Sequence, residues 1–264
     1  MGSREVQLIT AKEDSTMNNS STIEQLRSMR FSAMAKEFEN QLRDAGTYTQ
    51  LGFEDRFGLI VDQEWSTRKS NHLKKLMKSA GFSVPGACME NIQYVPERNL
   101  NKEQLVALAA NNYVRDKHNI LLLGPTGGGK TYIGCALGVA AVREFFRVKY
   151  IRLPELLTDL AIARASNSFP KAIQQYQKPA LLIIDEWLLY PLNETEARDL
   201  LEIIEARYHR ASTIFCSQYD VPGWRDKLAS PLIADAVCDR IVHDSYRIVI
   251  DSTESMRKRN GIGA

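Results

Sequence analysis

Cysteine is scarce in this 264-residue sequence: Cys88, Cys135, Cys216 and Cys238 lie far apart, with no C-x-x-C pair. That argues against a disulfide framework and for reduced, buried cysteines of a cytosolic protein. The four histidines are not grouped with them, which argues against a zinc site. Long hydrophobic runs are also missing. The longest near-apolar stretch, Tyr132 to Val142, is too short to span a bilayer, and no basic start with an apolar core marks a secretory leader. No sign of charge dominates: 34 basic against 32 acidic residues leave +2, which argues neither for nor against nucleic acid. With 44% hydrophobic and 25% charged residues, the composition is that of a globular chain of one or two domains, neither collagen-like nor wholly disordered.

What is present changes character along the chain. The start is polar and ends in Ser20-Ser21, read as a disordered arm or a non-native leader over residues 1–21. Thr22 with Gln25 resembles a capping box, and Ile23, Leu26, Met29, Met34 and Phe38 follow at helical spacing until Gly46 breaks the pattern. A second helical block covers Phe53 to Ser79, and Gly81, Pro85 and Gly86 mark a linker. Residues 22–85 thus read as a small all-α domain, 86–100 as a linker and 101–264 as a second domain. In that second domain short apolar runs alternate with helical stretches. Strands are expected at Ile120–Leu123, Val148–Leu153, Ala180–Asp185, Ser212–Ser217 and Tyr246–Asp251. Helices fit Lys130–Glu144, Pro154–Arg164, Glu194–His209 and Pro231–Ile241. This alternation predicts an α/β fold with a five-stranded parallel sheet and helices on both faces.

The strongest signal is Gly124-Pro125-Thr126-Gly127-Gly128-Gly129-Lys130-Thr131, a complete G-x-x-x-x-G-K-[ST] between an expected strand and an expected helix. Glycines let backbone N–H groups wrap a phosphate, and the helix N-terminus adds its positive dipole end. Lys130 is expected to reach the β- and γ-phosphates of ATP, and the Thr131 hydroxyl to bind Mg²⁺. The apolar run Ala180–Ile184 ends in Asp185-Glu186, a Walker B pattern. Asp185 would hold Mg²⁺ and Glu186 would orient the attacking water, which favours hydrolysis over transfer to a second substrate. Ser217-Gln218 ends another strand, where a polar side chain can meet the γ-phosphate; plain strand termination is the alternative. Arg240, in the Pro231–Ile241 helix, is either an arginine finger for a neighbouring subunit's ATP or a partner of Asp235, Asp239 or Asp244.

Together these residues resemble the IstB family, the ATPase helpers of bacterial insertion-sequence transposition. The stretches that carry the likeness include Phe53-Glu54-Asp55-Arg56-Phe57-Gly58-Leu59, Asp62-Gln63-Glu64-Trp65, Tyr150-Ile151-Arg152-Leu153-Pro154, Ile184-Asp185-Glu186-Trp187 and Asp239-Arg240-Ile241-Val242-His243. The resemblance implies an AAA+ P-loop ATPase of the initiator and helicase-loader group, similar also to DnaC. It implies self-assembly on duplex DNA under ATP control and recruitment of a transposase, IstA. It puts sensor 1 at Ser217 or Gln218, where AAA+ proteins often carry Asn, and the box VII finger at Arg240. Only 24 residues follow Arg240, so no C-terminal lid is expected, and a neighbouring subunit or the N-terminal domain is expected to close the pocket.

Candidate DNA contacts come from local charge. The first hundred residues balance, 13 basic against 13 acidic, yet Arg68, Lys69, Lys74, Lys75 and Lys78 run without an intervening acid. On a helix, Arg68, His72 and Lys75 share a face with Lys78 close by. Such a face is commonly just solvated; the resemblance tips the reading to backbone contacts with DNA of little sequence preference and strong salt dependence. Arg164 and Lys171 flank an expected exposed loop that could also touch DNA, and the tail Arg257-Lys258-Arg259 could add phosphate attraction. The resulting expectation is a cytoplasmic, homo-oligomeric, ATP- and Mg²⁺-dependent ATPase with duplex DNA and a transposase as partners and no membrane. A helicase loader acting on single strands and a weakly hydrolysing nucleotide-switch adaptor are the rivals. A P-loop kinase is disfavoured by Glu186.

Overall fold

The computed structural model describes residues 18–251 and Met256. Most of the expected arm and the basic tail Arg257-Lys258-Arg259 lie outside the described residues. Two compact units divide the chain between Lys74 and Lys75.

The described part of the first unit is helical: α1 (18–28), α2 (Ser32–Arg43), α3 (Ala45–Tyr48) and most of α4 (Phe53–Ala80). Thr22 is not a cap. It lies inside α1, and its hydroxyl donates to the Asn18 carbonyl at 2.9 Å. The single helical run expected from Ile23 to Phe38 is split at Arg30, which adopts φ 63° and turns the chain. Nor does Gly46 end the run: α2 stops at Arg43 and Gly46 falls within α3.

A carboxylate from α4 makes the split work. Glu64, 8% exposed, accepts from the Ala33 and Met34 N–H groups at 2.9 and 3.1 Å, the orphan donors of the first turn of α2. Arg68 pairs with Glu64 at 2.6 Å, donates to the Arg30 carbonyl at 3.0 Å and covers the Phe31 ring. Gln41 and Arg56 tie α2 to α4 a second time, with the Gln41 amide donating to the Arg56 carbonyl at 2.9 Å.

The second unit begins within α4. The segment read as a linker packs into it: Ala87, Ile92 and Arg98 are buried. Next come α5 (Lys102–Ala109), capped by the Asn101 side chain, α6 (Asn112–Asp116), β1 (Asn119–Leu123) and α7 (Lys130–Arg143). The order continues with β2 (Val148–Arg152), α8 (Leu153–Ala165), α9 (Phe169–Gln177), β3 (Leu181–Trp187) and α10 (Glu194–Arg207). It ends with β4 (Ser212–Ser217), α11 (Val221–Arg225), α12 (Pro231–Val242) and β5 (Ser245–Val249). All five expected strands form, each within two residues of its expected ends. The differences are at the ends: Leu153 opens α8 because Pro154 suits the first helical turn, and β3 runs two residues past Asp185. The short helices α5, α6, α9 and α11 were not expected; α6 and α11 have five residues each, too few to display a period.

The sheet order is β2-β3-β4-β1-β5, and every neighbouring pair is parallel. Alternation along the strands serves both faces. Leu121, Leu123, Leu182, Ile184 and Phe215 join a core with Leu156, Leu160, Tyr176, Leu200, Ile203, Val237 and Ile241 from α8, α9, α10 and α12. Leu122, Ile183 and Cys216 meet α7 on the other face, where Gly134 lets the helix come close. Burying one such aliphatic side chain contributes about 2 kcal/mol, so this two-sided core fixes the strand ends that carry the site.

Candidate functional site

Loop residues 124–129 join β1 to α7. Gly124 has φ 152°, and a Cβ there would stand 2.4 Å from the Ile250 carbonyl oxygen, so the turn requires glycine. Gly129 has φ 90° immediately before α7, which begins at Lys130. The Lys130 ammonium folds back over the loop and donates to the carbonyls of Gly124 and Pro125 at 2.7 and 2.8 Å. The eight motif residues therefore form a phosphate-loop conformation between a strand and a helix N-terminus.

β3 brings the acids to this loop. Asp185, 6% exposed, accepts at one carboxylate oxygen from the Thr131 hydroxyl at 2.6 Å and the Tyr150 hydroxyl at 2.8 Å. Its other oxygen accepts from the Glu186 N–H at 2.9 Å. Burial, reinforced by the Asp185 charge, pushes the Tyr150 phenol far above its ordinary range, so it remains a donor. An irregularity in the β3–β4 pairing between Ile184 and Trp187, with Glu186 at φ 55°, releases Glu186 from the ladder. Arg152, at the end of β2, then holds both Glu186 carboxylate oxygens, at 2.8 and 2.9 Å. Thr126, Gly127, Lys130, Thr131, Asp185, Glu186 and Gln218 line one cleft of about 670 Å³, a volume suited to a nucleotide.

The donor set fits a hard divalent cation. Thr131 and Asp185 offer two oxygens already 2.6 Å apart, and among the described residues no group of three or more His, Cys, Asp or Glu is placed to hold a metal ion. A cation here would complete its shell with phosphate oxygens and water, the habit of Mg²⁺.

Ser217 and Gln218, left as alternatives by the sequence, part ways in the structure. The Ser217 hydroxyl donates to the Trp187 carbonyl at 3.1 Å and accepts from Tyr219 N–H at 3.1 Å and Trp224 Nε1 at 2.9 Å. Ser217 is fully buried, whereas Gln218 is exposed and lines the cleft. Arg240 does not line that cleft. It is half-buried on α12, donates to the Ala236 carbonyl at 2.9 Å and pairs with Glu205 at 3.0 Å, not with Asp235, Asp239 or Asp244.

The basic candidates also separate. Lys69, Lys74, Lys75 and Lys78 are exposed on α4, while Arg68 is engaged with Glu64. The loop expected between Arg164 and Lys171 shrinks to residues 166–168, since α8 runs to Ala165 and α9 starts at Phe169. Arg164 is an ion-pair partner of the buried Asp199 and lies over the Phe169 ring, so its charge is already used; Lys171 is exposed. From the sequence, Tyr150 and Arg152 stand out only within the stretch that carries the family likeness, without a role in the site. Their signal was the end of β2, but their relevance depends on β2 lying beside β3, with Arg152 in register with Asp185.

Among the described residues, no helix is long and apolar enough to cross a membrane. The fold resembles that of the solved DnaC helicase loader, with a TM-score of 0.54 over 62% of this chain and 96% of that one at 16% identity. An insertion-sequence ATP-binding protein of Sinorhizobium fredii, y4pL, is 37% identical over 237 residues, 90% of this chain and 96% of its own. The ATP-binding protein of insertion sequence IS1162 from Pseudomonas fluorescens is 39% identical over 197 residues, 75% of this chain and 85% of its own. A family model described as IstB-like ATP binding protein matches residues 24–264. With the phosphate loop, the Asp185-Glu186 strand end and a match over nearly its whole length, the chain belongs to the IstB-like ATP binding protein family.

Proposed function

We propose that this protein binds ATP with Mg²⁺, hydrolyses it, and uses the nucleotide to control its self-assembly on duplex DNA in support of a transposase, in the cytoplasm. The observation that carries the reading is the joining of phosphate loop and acidic strand end in one cleft: Thr131 to Asp185 at 2.6 Å, with Glu186 on the same wall. Lys130 would leave the Gly124 and Pro125 carbonyls for the phosphates. Thr131 and Asp185 would hold Mg²⁺, which supplies charge neutralisation at the transferring phosphoryl group. Glu186 would orient the attacking water. For that, the hold of Arg152 must loosen, because its Nη2 donates to both carboxylate oxygens in this arrangement. Gln218, exposed at the cleft, is the sensor candidate; Ser217 is not. Arg240 stands outside its own cleft and is tethered to a half-exposed Glu205 and a helix carbonyl, which suits a finger offered to a neighbouring subunit.

Insertion-sequence relatives that cover 90% and 75% of the chain support a transposase as the partner. Exposed lysines on α4 and Lys171 support binding to DNA phosphates. Light scattering with ATP or ADP, and with duplex or single-stranded DNA, tests the whole reading. A discrete large particle with ATP and duplex DNA is expected, trapped by Glu186→Gln and prevented by Lys130→Ala. A monomer under every condition refutes the assembly mechanism, and assembly on single strands alone points to a helicase loader.

A further inference from the structure

The phosphate loop has a second support that the motif does not contain. Arg98 ends a short 3₁₀ turn, Pro96–Arg98, in the segment before α5. It is 4% exposed. Its guanidinium donates from Nη2 to the Gly128 carbonyl and from Nη1 to the Gln93 carbonyl, each at 2.7 Å. The Arg98 carbonyl accepts from Asp251 N–H at 3.2 Å, and the Asn99 amide donates to the Asp251 carboxylate at 3.1 Å. Turn and strand end are thus fastened together behind the loop. The guanidinium packs against the loop: a Cβ at Gly129 would stand 2.6 Å from Nη2 and would have to displace it.

We propose that Arg98 is a positioning residue that orients the Gly128–Gly129 peptide for binding the polyphosphate of a nucleotide, an inference that rests on the ATP-binding reading above. A peptide unit is planar and trans, so its N–H points opposite to its C=O. Drawing the Gly128 carbonyl back onto Arg98 turns the Gly129 N–H toward the phosphate side of the loop. A peptide between two glycines meets little steric resistance to rotation, so the loop's own sequence does not hold this plane. Rotated, the same peptide presents a carbonyl oxygen to the phosphates and repels them. The guanidinium also adds a positive charge at the back of the anion cradle.

The test uses the full chain with ¹⁵N-labelled glycine. In the nucleotide-free protein, Arg98→Met is expected to move the Gly129 amide resonance. Its dissociation constants for ADP and ATP are expected to rise together by about tenfold, the loss of one charge-assisted hydrogen bond. kcat at saturating ATP is expected to change by less than about threefold, because the interaction is equal in ground and transition states. Arg98→Lys, which keeps the charge and can reach one carbonyl, is expected to recover part of the affinity, and it carries the comparison if Arg98→Met does not fold. A folded variant with an unmoved Gly129 resonance and affinities within twofold of wild type overturns the proposal. If the wild type itself binds neither nucleotide, the ATP reading falls, while the Gly129 resonance still judges Arg98.

Discussion

The Ser217 hydroxyl makes one donated and two accepted hydrogen bonds, the full capacity of a hydroxyl group. Nothing is left over for a phosphate. Ser217→Ala is therefore expected to destabilise the fold by about 1 kcal/mol, since the Tyr219 N–H and the Trp187 carbonyl lose their partner, while Trp224 Nε1 keeps the Tyr219 carbonyl at 3.0 Å. Turnover per folded molecule should change little. Gln218→Ala is expected to do the reverse, with an unchanged melting temperature and turnover down by about tenfold or more, as for loss of a donor at a phosphoryl centre. Thermal melts and steady-state phosphate release on both variants check the pair; a slow, normally stable Ser217→Ala would reassign the sensor. The eight-residue phosphate loop could be recognised from sequence because its chemistry is local and its spacing rigid. The choice between Ser217 and Gln218 could not, because it depends on Trp187 and Trp224 closing over one side chain and leaving the other outside.

Helix α2 owes its start to α4. Glu64 satisfies two N–H groups of its first turn, and Arg68 holds Glu64 in place. Burial alone would raise the Glu64 pKa, but the hydrogen bonds from Arg68, Met34 and Ala33 outweigh it and hold the carboxyl below its ordinary value. A carboxylate whose folded pKa is depressed stabilises the fold above the ordinary carboxylate range and loses that contribution as pH falls through the folded value. The helical unit should accordingly weaken below about pH 4, the ordinary Glu value. Glu64→Gln should cost about 1 kcal/mol at neutral pH, as for loss of a helix cap, and flatten the acid limb. Helical circular dichroism against pH, with and without the substitution, measures both; an identical acid limb would dismiss the cap. Apolar periodicity from Ile23 to Phe38 announced one helix, and nothing in those residues revealed a remote carboxylate able to restart it after Arg30.

In the proposed assembly on DNA, charge would act collectively. Arg68 and Arg164, though exposed, are engaged in ion pairs with Glu64 and Asp199; Lys74, Lys75, Lys78 and Lys171 are exposed as well. Lys74, Lys75 and Lys78 replaced together by Ala should weaken duplex binding by a similar factor for unrelated sequences. The slope of log K against log salt should fall by about one unit for each phosphate that the protein no longer neutralises. Salt titrations by fluorescence anisotropy decide the matter; an unchanged slope would make that face of α4 a solvated surface. The charge run was visible in sequence, but its members were not equivalent, because ion pairing depends on which acids the fold brings near.

By itself the sequence determined the five-strand alternation, the phosphate loop and the Asp185-Glu186 strand end, all features written in spacings of fewer than ten residues, where backbone geometry follows from local chemistry. Only the tertiary structure decided which side chains complete them. β2 beside β3 gives Tyr150 to Asp185 and Arg152 to Glu186, and Arg98 meets Gly128 from thirty residues away. Such partners are chosen by sheet order and by the burial of particular donors, and neither leaves a periodic trace in the chain.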